Sequence, residues 1–275
     1  MSASLPTVLA LDFDGVLCNG LKEYFQTAWR AYCNIWHPEN QNPPGGVAEA
    51  FYRLRPVVET GWEMPVLIRA IMLNIPETEI FSNWTGAPQS EPTSSGIALR
   101  ILQQERLDAA RCIAEVDGIR DRWIASDPDS WLAAQSFYPG VTDRLKATLA
   151  SPVHTVIIST KEKRFIEQLL QKQDVELTHL QIFGKEVKRP KHQILQELIE
   201  TYGSKETFWF VEDRLKTLQG IQKQPALKTV SLFLADWGYN TEAERQLAAK
   251  DPDLELISLK QFSQDFLAWK IKDEA

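Results

Sequence analysis

The chain has 275 residues, 44% of them hydrophobic and 24% charged, with a net charge of −7. That length suits one large domain or two modest ones, and the acidic balance argues against a nucleic-acid-binding surface, which would be basic. Cys18, Cys33 and Cys112 are odd in number and form no C-x-x-C, which argues against a disulfide framework or a zinc site and for a reducing, cytoplasmic compartment. Met1 to Thr7 lack the basic residues of a secretory signal, and no apolar run approaches the ~18 residues of a membrane span.

The first element is an apolar run, Val8-Leu9-Ala10-Leu11, that reaches Asp12, Phe13, Asp14 and Gly15. A short apolar run ending in a turn signal predicts a buried strand. Strand alternation then points Asp12 and Asp14 the same way, with Gly15 allowing a tight turn. Two carboxylates so placed repel one another unless a hard cation such as Mg²⁺ offsets them. The plainer reading of the pair is an Asp-Gly turn at a strand end.

From Leu21 to Gln135 the pattern is helical. Helices are predicted at Lys22–Trp36, Val47–Leu54, which Pro56 disturbs, and Pro65–Leu73. Pro76 to Pro92 reads as a long surface loop. Ile97 to Ile124 reads as one helical region, broken near Gly118, and Ser126-Asp127-Pro128 starts another helix. Arg53, Arg55, Glu59, Trp62 and Glu63 gather around the helix break. Their ordinary reading is a salt-bridged surface, but Arg55 is a candidate contact to a substrate anion.

After Tyr138-Pro139-Gly140 strands and helices alternate. Strands are predicted at Val153–Ile158, Leu180–Phe183, Thr207–Val211, Val230–Leu234 and Leu254–Ile257. Between them come helices at Thr142–Leu149, Arg164–Gln173, Lys191–Tyr202, Leu215–Gln222 and Glu242–Lys250, with capping boxes at Thr241/Glu244 and Ser258/Gln261. This alternation predicts an α/β fold with a doubly wound parallel sheet built from residues 1–18 and 137–275. Residues 19–136 form an all-helical domain inserted directly after the acid pair, where it must overhang the carboxyl edge of the sheet. The plainer reading of the insert is a docking or dimerisation module.

Three more stretches carry chemistry. Val156-Ile157-Ile158 ends at Ser159-Thr160, hydroxyls that can donate to a phosphoryl group or simply cap the next helix. Lys188-Arg189-Pro190-Lys191 precedes an apolar helix, with Lys191 at its start. Phe208-Trp209-Phe210-Val211 ends in the acid pair Glu212-Asp213.

The four stretches, in this order, resemble the four motifs of the haloacid dehalogenase-like superfamily, with a Rossmann-like core and an inserted helical cap of the C1 type. Phe137-Tyr138-Pro139-Gly140 and Trp237-Gly238-Tyr239 resemble its phosphoglycolate phosphatase-like members. The resemblance covers the core throughout, and the cap in position and helicity only.

It implies a Mg²⁺-dependent phosphatase acting on a small phosphorylated metabolite. In that reading Asp12 is the nucleophile and Asp14 the general acid/base. Ser159 and Lys191 bind the phosphoryl group, with Gly15 and Thr160 lining it, and Lys188 is an alternative to Lys191. The metal falls to Asp12, Asp14 through its main-chain carbonyl, Asp213 and Glu212. Family members often carry a second Asp three or four residues after the Gly-Asp pair, where this chain has Lys216 and Thr217, so Glu212 becomes an acid acting through water. The presence of Asp14 argues against a dehalogenase. A phosphomutase with the same residues stays open, as does a non-catalytic phospho-ligand-binding or interaction protein.

Overall fold

A computed structural model describes residues 5–85 and 96–269. The chain divides into two compact units, one from Met1–Asn19 with Ser136–Ala275 and the other from Gly20–Gln135.

Among the described residues the first unit carries eight strands: β1 (Val8–Leu11), β2 (Cys18–Asn19), β3 (Ser136–Phe137), β4 (His154–Ile158), β5 (Leu180–Phe183), β6 (Phe208–Glu212), β7 (Ser231–Ala235) and β8 (Leu254–Ile257). Six of them form one sheet in the order β5-β4-β1-β6-β7-β8, every pair parallel. β2 and β3 pair antiparallel as a short ribbon. β1, β4, β5, β6 and β7 are each followed by helix before the next strand of the sheet, the crossover a parallel sheet requires. Because helices cover both faces, the central strands must be apolar throughout, and β1 and β6 are buried at every position. Val8, Ala10, Val156, Phe208 and Phe210 share one core with Ile194, Leu195 and Leu218 from helices Lys191–Tyr202 and Leu215–Gln222. Trp209 contributes to an aromatic cluster with Phe233 and Trp269, at ring separations of 4.8 and 5.7 Å.

The chain leaves β1 for β4 and β5 on one side, then crosses to β6, β7 and β8 on the other. β1 therefore lies at the point where the winding reverses, and open α/β sheets bind ligands beyond the carboxyl ends of strands at such a point. Both capping boxes form, at Thr241/Glu244 and Ser258/Gln261.

The second unit is helical around Leu21–Trp36, which packs against Glu63–Met72 and Ala109–Ser126. Its core includes Phe25, Phe51, Leu67 and Val116. Glu23 is buried within it, and its charge is matched by Arg120 at 2.8 Å and by the Thr27 hydroxyl, which donates to it. Two expectations for this unit are corrected. The stretch expected as loop from Pro76 contains a helix, Glu77–Asn83, because Pro76 enters it from an extended conformation and Ile80 is fully buried. The rest of that expected loop, from Gly86 to Pro92, lies outside the described residues. The helical region from Ile97 breaks at Glu105–Asp108, not at Gly118, giving helices Ile97–Gln104 and Ala109–Ser126. There the Asp108 carboxylate accepts a hydrogen bond from the Arg111 amide and restarts the helix.

Candidate active site

Parallel register brings the motif residues together. Leu11 pairs with Ile157 of β4 and with Val211 of β6. Asp12, Ser159 and Glu212-Asp213 therefore leave three neighbouring strands at one edge of the sheet. Oxygens of Asp12, Glu212 and Asp213 lie within 4.8 Å of one another, and all three side chains are buried.

Lys191, at the start of its helix, projects its ammonium between the acids. Its Nζ lies 2.8 Å from Asp12 Oδ1 and donates to Glu212 Oε2 at 2.7 Å. Lys188 does not take this place: it is exposed, in a left-handed backbone conformation after the turn Lys185–Val187. Glu212 is fully committed. Its other oxygen accepts from the main-chain amides of Asp213 and Arg214, at 3.2 and 3.0 Å. Asp213 is held by the loop after β7, where the Tyr239 amide donates to Oδ2 at 2.7 Å and the Asn240 amide group donates to the Asp213 carbonyl at 2.9 Å. The Trp237 indole donates to the Val16 carbonyl at 3.1 Å, tying that loop to the turn after β1.

That turn is tight. The amides of Leu17 and Cys18 both donate to the Phe13 carbonyl, and Gly15 adopts φ +88°. A β-carbon at Gly15 would lie 2.1 Å from Asp213 Oδ2, so this position admits only glycine. The turn also alters an expectation. Strand geometry ends at Leu11, so alternation does not govern Asp14. The two carboxylates instead face different lysines: Asp12 faces Lys191, while Asp14 Oδ1 lies 3.3 Å from the ammonium of Lys161. Asp14 is accordingly not one of the three clustered carboxylates.

Ser159 is buried, and its hydroxyl accepts a hydrogen bond from the Lys161 amide at 3.2 Å. Thr160 is exposed. Arg55 belongs to the helical unit, where its guanidinium donates to the Val58 carbonyl and lies over the Tyr24 ring at 4.9 Å. Of the residues grouped with it in sequence, Arg53 pairs with Glu77, and buried Glu63 accepts from the amides of Glu59 and Thr60 and from the Trp84 indole. Those two therefore have structural roles. Sequence analysis gave no role to Lys161, Tyr239 or Asn240; the signals available were a lysine two residues past a strand-ending serine and the Trp237-Gly238-Tyr239 stretch already singled out.

The electrostatics ask for a cation. Three buried carboxylates against one ammonium give the cluster a formal surplus of two negative charges. Burial pushes the Asp12 carboxyl up to about 7, opposed by Lys191 and reinforced by the charges of Glu212 and Asp14. Burial and the Asp12 charge push Asp213 up to about 6, against the Tyr239 amide, which lowers it. Burial also raises Glu212. Burial disfavours the Lys191 ammonium, but Asp12 and Glu212 outweigh it and hold Lys191 above its ordinary range. A clustered, oxygen-only donor set with surplus negative charge suits a hard divalent cation.

A stability prediction follows for metal-free protein. Folding raises the Asp12 and Asp213 values, so between about pH 4 and 7 the folded state binds more protons than the unfolded. Stability contributed this way is present at low pH and is lost as pH rises through 6 to 7. The rise at Asp12 from 3.8 to about 7 corresponds to on the order of 4 kcal/mol. Thermal melts in EDTA are expected to show a midpoint falling from pH 5 to pH 8, and Asp12→Asn should flatten that fall. A wild-type midpoint unchanged across the range would contradict the assignment.

No protein-family model matches the chain, and no curated protein matches it. Solved structures do. A predicted phosphatase from Clostridium acetobutylicum superposes with a TM-score of 0.57 at 14% identity, covering 96% of this chain and 99% of that one. A haloacid dehalogenase-like family hydrolase from Streptococcus pneumoniae gives 0.53 at 13% identity, over 92% and 94%. The chain has the haloacid dehalogenase-like fold. A predicted phosphoglycolate phosphatase from Haemophilus somnus shares that fold with a TM-score of 0.52 at 12% identity, over 88% and 90%. Identities this low speak for the haloacid dehalogenase-like fold alone, so the chemistry must come from the site.

Proposed function

We propose that the protein is a Mg²⁺-dependent phosphatase that hydrolyses a small phosphate monoester through an aspartyl-phosphate on Asp12. The observation that carries this reading is the buried group of Asp12, Glu212 and Asp213 around Lys191, at the carboxyl edge of a haloacid dehalogenase-like sheet. Asp12 and Asp213 would hold the cation, with the Asp14 main-chain carbonyl. Glu212, with both oxygens already engaged, keeps Lys191 in place and would act on the cation only indirectly. When bound, Mg²⁺ supplies charge that offsets the phosphoryl oxygens.

The chain's own residues do the rest. Asp12 attacks phosphorus as a carboxylate nucleophile, forming the acyl phosphate as the ester oxygen departs. Lys191 orients Asp12 and balances charge on the transferring group, and Ser159 offers a neutral donor. Asp14 gives its proton to the leaving oxygen, then takes one from the water that cleaves the acyl phosphate, releasing inorganic phosphate and restoring Asp12. This reading places the protein with the phosphatases named among its structural neighbours.

Two experiments test it. Activity against a panel of phosphorylated metabolites is expected to require Mg²⁺, to vanish in EDTA, and to be inhibited by Ca²⁺. Calcium's longer bonds and higher coordination number disturb in-line geometry. Full activity in metal-free buffer would reject the site. Replacing Arg55 by Ala is expected to raise KM for the best metabolite of that panel several-fold more than for p-nitrophenyl phosphate. Equal changes for both would remove Arg55 from substrate recognition.

A further inference from the structure

The site contains a second lysine that the reaction scheme leaves without a task. Lys161 sits on the loop after β4, and its ammonium lies 3.3 Å from Asp14 Oδ1, with its side chain only 8% exposed. Lys191 does not take this role, being committed to Asp12 and Glu212. Among the described residues Asp14 Oδ1 is buried and accepts no hydrogen bond, so the ammonium is the charge that answers it. Burying an ammonium is costly unless a partner compensates it, so a lysine held here at low exposure is informative.

Its base is fixed. The Lys161 amide donates to Ser159 Oγ at 3.2 Å, and its carbonyl accepts from the Lys185 amide at 2.9 Å. Gly184 packs against this loop so closely that a β-carbon there would lie 2.5 Å from the Lys163 amide nitrogen and 2.8 Å from the Lys161 carbonyl oxygen. Asp14 lies on the turn beyond the end of β1, where a single bridge to Cys18 ties its main chain but no hydrogen bond is made to its carboxylate Oδ1.

We propose that Lys161 is a positioning residue for Asp14: it grips one carboxylate oxygen from a rigid loop and leaves the other to exchange the proton with the leaving oxygen and the attacking water. The inference rests on the phosphatase reading above and adds to it the element that holds the acid/base in place. Misplacing a catalytic group by about 1 Å can cost on the order of 10²-fold, which is the scale available to such a residue.

The test compares phenyl phosphate with p-nitrophenyl phosphate, two esters of similar shape whose leaving groups differ in their need for a proton. Wild type, Lys161→Met and Lys161→Arg are assayed with Mg²⁺. Lys161→Met is expected to lower kcat/KM for phenyl phosphate about tenfold more than for p-nitrophenyl phosphate, and Lys161→Arg to recover part of that ratio. Gly184→Ala, which displaces the Lys161 main chain while keeping the ammonium, is expected to shift the ratio the same way and serves if Lys161→Met does not fold. An equal loss on both esters through KM would make Lys161 a phosphoryl clamp and overturn the proposal, as would an unchanged ratio in Lys161→Met and Gly184→Ala. A wild type that turns over neither ester nor any metabolite of the panel would instead reject the phosphatase reading beneath it.

Discussion

Asp12→Asn is expected to abolish phosphoryl transfer, with kcat falling by on the order of 10⁴-fold or more, the scale seen when a covalent nucleophile is removed. The substitution changes one oxygen to nitrogen at a buried position and keeps the side chain's shape. It also removes a carboxyl that burial pushes up to about 7, so the metal-free protein at pH 8 should melt no lower than wild type. Lost activity with a retained melting midpoint separates a chemical role from a structural one. In wild type, rapid quench followed by reductive trapping should place the phosphoryl label on Asp12. Near-normal turnover by Asp12→Asn, or a label on another residue, would remove Asp12 as nucleophile and the mechanism with it.

Asp14→Ala is expected to act unevenly, and the unevenness identifies its role. An alkyl phosphate has a poor leaving group that must be protonated as it departs, so its hydrolysis should fall by roughly 10²–10⁴-fold. Nitrophenolate leaves without that help, so p-nitrophenyl phosphate should still phosphorylate Asp12. The second step then stalls, because no carboxylate takes the proton from the attacking water. Intact-mass spectrometry after quench should therefore show the variant carrying one phosphoryl group, mapped to Asp12, at a level wild type does not reach. Equal loss on both classes of ester, with no accumulated intermediate, would assign Asp14 to binding or to the fold. Because Asp14 lies against Lys161 and outside the cluster of three acids, its loss should leave the Mg²⁺ concentration needed for half-maximal activity nearly unchanged. Asp213→Asn, by contrast, should raise it.

Much of the core was legible before any coordinates. Leu180–Phe183, Leu215–Gln222 and Leu254–Ile257 begin and end where their patterns say, and Lys191–Tyr202 stops at Gly203 as its composition requires. Strands buried on both faces must be apolar at every position, and helices facing the sheet must be apolar along one stripe, so local pattern suffices. The helical unit was less legible. Glu77–Asn83 is rich in polar residues and follows a proline, and its helicity depends on burying Ile80 against residues remote in sequence. Gly118 costs its helix some stability but does not end it, because Val116, Ile119 and Trp123 are buried on either side.

Taken by itself, the sequence determined the order of the six sheet strands and of the helices between β4 and β8, the acids at the ends of β1 and β6 and the hydroxyl at the end of β4, because these depend on runs of a few residues. Tertiary structure decided which charges meet. Lys191 reaches Asp12 and Glu212 while Lys188 faces solvent, Asp14 turns to Lys161, and Glu212 spends both oxygens on its neighbours, leaving Asp213 the freer acid. The physical reason is range. Periodicity is set within one element, whereas an ion pair at about 3 Å depends on where separate elements stop and how the sheet brings them level. The turn at Gly15 shows both at once: glycine announces a tight turn, but only the packing of Asp213 against it makes glycine obligatory there.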